Sequence, residues 1–328
     1  RGIDGFRIDA MWHLLKDPQW RDNPPNPDFR PGEPGIRRFL QIRTADLPET
    51  VEVVRGIRRV LDEFPDRAII GELYLGYDRM CAYYGPASDG CHLPFNQHLI
   101  MDPWRADVVA RGIETYEAAL PPGAWPNWIF GNPDNPRVAS RLGPAQARVA
   151  AVFLLTARGT PIIWQGDELG LMNGVVPPER IRDPQEKQEP GLVDHNRDIA
   201  RTPMPWDGSR YAGFSTVEPW LPLTEDHASV NVAAEAADPR SMLALHRRLI
   251  GLRRAHPALA IGDVTVLSGT DDVLAYLRSH GDDRFVVALN LSNLPRAVSL
   301  PQAVGGRIVL PSGLDRDGEV VGESLRLG

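Results

Sequence analysis

Cysteine is scarce in this chain. Only Cys81 and Cys91 occur among 328 residues, too few for the disulfide framework of a small secreted domain. They read as reduced thiols, with a local disulfide as the alternative. No His and Cys spacing resembles a zinc site, and His13, His92, His98, His195 and His246 read as core or surface residues. Long apolar runs are missing too. No stretch of about 18 apolar residues exists, which excludes a membrane-spanning helix. Nor is there a basic run: 36 Lys and Arg stand against 43 Asp and Glu, a net charge of −7, which argues against a nucleic-acid footprint. No leader-like segment opens the chain, and a cytoplasmic location is the corresponding expectation. Position 1 is Arg rather than Met, which points to a chain that starts inside a fold. What remains is an ordinary globular composition, long enough for one large core and a smaller module. The oligomeric state is left open.

Strand-like and helical segments alternate through most of the sequence. Ile3–Asp9 reads as a strand, followed by a Pro/Asp/Asn-rich surface loop near Asp17–Gly35. Val51, Val54, Ile57, Val60 and Leu61 recur at helical spacing, predicting a helix over 47–64 with Pro48 in its first turn and Pro65 as its stop. Further strands are expected at Arg67–Leu73, Cys91–Phe95, Trp128–Asp134 and Thr160–Gln165, and further helices near 103–120, at Pro144–Ala157, where an amphipathic one is expected, and at Pro239–Ala255. A long polar loop fills 173–238. After Pro257 the pattern changes to short alternating runs, Val264–Leu267, Val273–Arg278, Phe285–Leu291 and Ala297–Leu300, as in an all-β module. The alternating part implies an α/β fold with a parallel sheet or barrel. About five strands are visible, short of a closed eight-stranded barrel.

Three acids stand at or just after strand ends: Asp9, Glu72 and Asp134. A single such acid commonly caps a helix. Three of them, one with Arg7 two residues earlier and on the same strand face, point to chemistry. An Arg beside Asp9 holds that carboxylate ionised, which suits a nucleophile. Glu72 leaves the apolar run Ala68-Ile69-Ile70-Gly71, where burial raises a carboxyl pKa and suits an acid/base. Two such carboxylates are the minimum for glycoside hydrolysis, and a third can bind sugar hydroxyls and stabilise oxocarbenium character. Asp167-Glu168 reads as fixing the loop after a strand. Trp12, Trp125 and Trp164 serve equally as core residues or as sugar-stacking surfaces.

Four segments in this order, Gly5-Phe-Arg-Ile-Asp9, Gly71-Glu-Leu-Tyr74, Gly131-Asn-Pro-Asp134 and Gly159-Thr-Pro-Ile-Ile-Trp-Gln-Gly-Asp-Glu168, resemble the sequence regions of the α-amylase superfamily, glycoside hydrolase family 13. Arg197-Asp-Ile-Ala-Arg-Thr-Pro-Met-Pro-Trp206 and Val230-Asn-Val-Ala-Ala-Glu235 resemble the bacterial α-glucosidase and oligo-1,6-glucosidase branch. The resemblance covers nearly the whole chain. It implies strands 4–8 of a (β/α)8 TIM barrel over 1–256 and a small β-sandwich domain over 257–328 that lacks its last strand. It implies a retaining mechanism with Asp9 as nucleophile, Glu72 as acid/base, Asp134 as transition-state stabiliser, Arg7 holding the nucleophile, and Arg197 contacting bound glucose. No cofactor and no metal is expected, since the family's divalent site belongs to a part that this sequence does not match. The partner is an oligosaccharide or α-glucoside substrate, with no nucleic acid and no membrane.

Two positions depart from the pattern. The family's Asn-His-Asp reads Asn132-Pro133-Asp134 here. Pro lacks the side-chain donor that His offers a glucose hydroxyl, so an altered or weakened sugar site is expected; Pro also fits only beyond the last paired strand residue. After the nucleophile stands Ala10, where Val goes with α-1,6-specific enzymes, so the resemblance implies preference for α-1,4 bonds. The family's early strands and its Asp-x-x-x-Asn-His segment have no counterpart, so the sequence is expected to be a fragment. The leading expectation is a retaining α-glucosidase. A transglucosylase or sucrose-converting enzyme uses the same acids. A non-catalytic family-like binding domain is the remote alternative, disfavoured because all three acids are retained.

Overall fold

The computed structural model describes every residue except 1, 34, 185–195, 271, 300–305 and 322–323. The expectations on Arg1, His195 and Leu300 fall outside the described residues. The chain divides into two compact units, one of residues 1–98 with 115–128, the other of 99–114 with 129–328.

In the first unit, β1 (Gly5–Ile8) leads through a long loop to α1 (Pro48–Leu61). Pro48 occupies the first turn, where its missing N–H costs nothing. The helix stops three residues earlier than its periodicity suggests, and residues 62–64 form a turn. Thr50, Val54 and Leu61 are its buried side chains. Next come β2 (Ala68–Gly71), α2 (Tyr77–Ala82) and β3 (Leu93–Pro94). β1, β2 and β3 form a parallel sheet in that order, with Arg7 opposite Ile70 and Ile8 opposite Gly71. That register sets Asp9 and Glu72 side by side, one residue beyond their strands. β2 is shorter than Arg67–Leu73, and Glu72 lies past its end. Asn127 ties the sheet to a later segment: its Nδ2 donates to the Pro94 carbonyl at 2.6 Å and its Oδ1 accepts from Asn96 N at 3.0 Å. Cys81 and Cys91 are both free and buried, and burial pushes each thiol up to about 12.

The chain continues through α3 (His98–Met101), α4 (Ala106–Ala119) and β4 (Asn127–Ile129). The expected strand over Trp128–Asp134 is therefore corrected: only its start is paired, and 130–134 form a loop, because Pro133 has no N–H for a ladder. In the second unit, α5 (Val138–Leu142) and α6 (Pro144–Thr156) precede β5 (Thr160–Ile162). α6 is not amphipathic. Nine of its side chains are buried, from Gln146 through Thr156, as in a helix enclosed on all sides. Phe153 is its centre, packed edge-on against Trp104, Phe130 and Tyr276 at 6.0–6.4 Å. The polar stretch after β5 contains α7 (Val232–Ala237), and α8 (Met242–Ala255) begins at a Ser241 cap rather than at Pro239. Ser241 Oγ accepts from Ala244 N at 3.0 Å.

After α9 (Pro257–Ala260) the structure is β-rich. β6 (Asp263–Thr270), β7 (Val273–His280) and β8 (Asp283–Asn290) make an antiparallel sheet with a register shift between Val266 and Ser268. β9 (Arg296–Ser299) pairs with β12 (Ser324–Leu327), and β10 (Gly306–Arg307) with β11 (Val320–Val321). Val273, Ala275 and Val298 form its buried cluster. The chain is thus an α/β structure followed by a β-rich part, and none of its described helices is long and apolar enough to cross a membrane.

Candidate active-site residues

The first unit carries a three-residue charge cluster at the end of its parallel sheet. Arg7 reaches both acids: Nη1 donates to Asp9 Oδ1 at 2.7 Å and Nη2 to Glu72 Oε2 at 2.7 Å. The alternation of β1 puts Arg7 and Asp9 on one face, and the β1–β2 register brings Glu72 beside them. Exposure separates the two acids sharply, since the Asp9 side chain is 77% exposed and that of Glu72 only 8%. Asp9 is held below the usual carboxylate range, first by a hydrogen bond with Glu72 and then by the Arg7 charge. The sequence argument named only Arg7, and the neighbouring acid is the larger cause. Glu72 is pushed up to about 7, first by burial and then by its hydrogen bond with Asp9, while Ala10 N–H and Arg7 pull the other way. The geometry therefore keeps one carboxylate charged and the other protonated near neutrality, a division of roles set by environment.

The second unit carries the third acid. Asp134 follows an Asx turn in which Asn132 Oδ1 accepts from Asp134 N and Asn135 Nδ2, both at 3.0 Å. Arg201 clamps this turn: Nη2 donates to Asp134 Oδ1 at 2.7 Å and Nε to the Pro133 carbonyl at 2.7 Å. Arg197 Nη1 approaches the same carboxylate oxygen at 3.3 Å. Arg197 is itself gripped by Asp183, whose two oxygens accept from Nη2 at 2.6 Å and Nε at 2.9 Å. That pair raises the Arg197 pKa further.

The turn also has a buried floor. Gly131 admits no side chain, since a Cβ there would overlap Asp167 Oδ2. Asp167 is buried and pushed up to about 7, chiefly by desolvation. Arg137 is fully buried nearby, donating Nη1 to the Gln165 carbonyl at 2.6 Å. Glu168 Oε2 accepts from Gly166 N at 2.7 Å, holding its own turn.

Of the residues named from the sequence, the structure brings Arg7, Asp9 and Glu72 together in one cluster and Asp134 and Arg197 in another, and Pro133 lies beyond the paired strand. Arg201 and Asp183, beside Asp134 and Arg197, were not named from the sequence. Arg201 lies four residues after Arg197 within the same short motif, which was a usable signal; Asp183 gave none. The histidines make structural contacts: His92 Nδ1 accepts from Ile69 N at 3.0 Å, and His246 Nδ1 faces the Met242 carbonyl at 3.0 Å. Trp164 Nε1 donates to the Ala200 carbonyl at 3.0 Å, and Trp12 packs beside Tyr74 at 5.7 Å.

A charged acid and a buried one of raised pKa, paired at the ends of adjacent parallel strands, form an arrangement suited to acid/base chemistry. Residues 1–262 match the alpha-amylase catalytic domain, and the chain belongs to that family, glycoside hydrolase family 13. It is similar to the probable alpha-glucosidase of Rhizobium meliloti (strain 1021), 33% identical over 318 residues, 92% of this chain and 57% of that protein. Maltase A1 of Drosophila melanogaster is 31% identical over 321 residues, 92% of this chain and 56% of that protein. The crystal structure of the alpha-glucosyl transfer enzyme XgtA superposes with a TM-score of 0.91 at 29% identity, covering 100% of this chain and 62% of that one. The chain spans just over half the length of the curated relatives it matches.

Proposed function

We propose that this chain carries the catalytic residues of a retaining α-glucosidase that releases terminal α-1,4-linked glucose from short oligosaccharides. The observation that carries the reading is the Arg7–Asp9–Glu72 cluster, with Asp9 held charged and Glu72 raised to about 7, so that it still carries a proton in part of the population at neutral pH. Asp9 attacks the anomeric carbon while Glu72 delivers its proton to the leaving oxygen, giving a covalent glucosyl-enzyme. Glu72, now a carboxylate, takes a proton from a water whose oxygen attacks the anomeric carbon and displaces Asp9, so that glucose leaves with its configuration retained. Asp134 supplies the third carboxylate, binding sugar hydroxyls and stabilising positive charge, with Arg197 a contact to glucose. The alternating β/α part is read as strands 4–8 of a (β/α)8 barrel and residues 257–328 as a β-sandwich domain. Ala10 supports faster cleavage of maltose than of isomaltose.

The test is hydrolysis of p-nitrophenyl α-glucoside followed by proton NMR of the first-formed anomer. Retention is expected, and Asp9→Asn is expected to lower kcat by on the order of 10⁴-fold. Release of the β-anomer, or full activity in Asp9→Asn, overturns the reading. The similarity to an alpha-glucosyl transfer enzyme favours a second reading, in which a sugar hydroxyl replaces water as acceptor. Accumulation of longer oligosaccharides from maltose, in place of glucose alone, distinguishes it.

A further inference from the structure

The two arginines around Asp134 are anchored in different ways. Arg201 is held by the Asp134 turn itself, through the Pro133 carbonyl and Asp134 Oδ1. Arg197 is anchored from outside that turn, by Asp183. The Asp183 side chain is fully buried, and a buried carboxylate requires a paired charge and donors for its oxygens. Arg197 supplies both. Its backbone N–H and Nε donate to Asp183 Oδ2 at 2.8 and 2.9 Å, and Nη2 donates to Oδ1 at 2.6 Å. The backbone of Asp183 is fixed in turn. Asp198 Oδ2 accepts from Arg182 N at 2.6 Å and Asp183 N at 2.9 Å. Asn196 Oδ1 accepts from Asp198 N at 3.1 Å, capping the short helical turn Arg197–Ala200. Residues 182–183 and this turn are thus stitched together independently of Asp134.

A carboxylate that takes the Nε–Nη2 edge of a guanidinium leaves Nη1 on the opposite side. In Arg197 that remaining nitrogen lies 3.3 Å from Asp134 Oδ1. Among the described residues, three of the five guanidinium N–H groups have acceptors. The side chain is 23% exposed, so donors remain for a ligand hydroxyl beside Asp134. We propose that Asp183 is a positioning residue: it holds the Arg197 guanidinium side-on and thereby directs Nη1 to Asp134 and to the sugar hydroxyl bound there. The inference rests on the α-glucosidase reading, in which Asp134 and Arg197 contact glucose, and adds to it a buried residue that never touches the sugar. An arginine left free loses its rotamer freedom each time a ligand binds, and the grip of Asp183 fixes it beforehand. A bond to a sugar hydroxyl persists from bound substrate to transition state, so the effect falls on KM and not on kcat.

The experiment compares the full chain with Asp183→Asn, Arg197→Gln and the double variant on p-nitrophenyl α-glucoside. Asparagine keeps the side-chain size but offers one acceptor oxygen where aspartate offers two. Asp183→Asn is expected to raise KM on the order of tenfold, the size of a lost hydrogen bond to a charged group, with kcat within about twofold. In the Arg197→Gln background the same change is expected to add nothing to KM, because Asp183 acts through Arg197. A merely structural Asp183 would lower kcat or the folded yield in both backgrounds alike. A second readout needs no turnover. The Arg197 Nε–H, identified in ¹⁵N spectra by its loss in Arg197→Gln, is expected to exchange with water about tenfold faster in Asp183→Asn than in the full chain. If Asp183→Asn does not fold, Asp183→Glu keeps the charge but displaces the guanidinium, and a smaller rise in KM is expected, again absent in the Arg197→Gln background. An unchanged KM, an equal rise in both backgrounds, or an unaltered Nε–H exchange overturns the proposal. Should the full chain fail to cleave the glucoside, the proposed function fails, while the Nε–H exchange still decides whether Asp183 fixes Arg197.

Discussion

Pro133 stands where the family pattern has His, and the structure shows what the position still does. Its carbonyl accepts from Arg201 Nε, while the same guanidinium holds Asp134. The backbone role of the position is intact and the side-chain donor is gone. A buried hydrogen bond to a sugar hydroxyl contributes about 1–1.5 kcal/mol, so restoring it in Pro133→His is expected to raise kcat/KM on p-nitrophenyl α-glucoside by about tenfold. Unchanged or lower activity in a folded Pro133→His protein would show that the proline is not the weak point. The acids themselves were legible in the sequence because each follows a short apolar strand, and strand ends carry active sites in α/β folds. Their ionisation was legible only in part. Arg7 announced itself two residues before Asp9, but the hydrogen bond with Glu72, the larger cause of the Asp9 shift, comes from a residue far along the chain.

Among the elements, α6 departs most from its sequence pattern. Its run of Ala, Val, Phe and Leu marks a helix, yet periodicity alone cannot say whether one face or every face is covered. The structure buries it almost all round and centres it on Phe153, fully buried against three other aromatic rings. Truncation there removes a large apolar volume that neighbouring rings cannot refill. Phe153→Ala is expected to reduce the unfolding free energy by about 3–5 kcal/mol in urea titrations; a loss under about 1 kcal/mol would mean that the helix is not the core element described. The strands were over-read in length for a related reason. Glu72, Leu73 and residues 130–134 continue an apolar or extended pattern, but a ladder needs a partner and, at 133, an N–H that proline lacks. β2 ends at Gly71, and the register with β1 still carries Glu72 to the side of Asp9, its N–H donating to the Ile8 carbonyl at 3.0 Å.

For the molecule as a whole, two buried carboxyls shape the pH response. Asp167 is raised from 3.8 to about 7, mainly by burial, with Glu168 adding to the rise and Arg137 opposing it; Glu72 is raised from 4.5 to about 7. A folded-state pKa above the unfolded value means stability that is fully present below the unfolded pKa and lost as pH rises through the folded one. The window therefore runs from about pH 4 to about pH 7, and the Asp167 contribution across it is on the order of 4 kcal/mol. Thermal midpoints are expected to fall as the pH rises from about pH 4 to about pH 7, and to fall less in Asp167→Asn; an equal slope in both proteins would exclude Asp167 as the titrating group. By itself the sequence determined the order and identity of the acids, the alternation of strands and helices and the all-β tail, because strand alternation, helical spacing and proline placement are local properties of the chain. Only the tertiary structure decided which neighbour shifts each acid most, which arginine holds Asp134, and why positions 71 and 131 are glycine. Desolvation, hydrogen-bond partners and close approach come from residues distant in sequence, such as Arg7 with Glu72 and Asp167 with Gly131, and no local pattern encodes them.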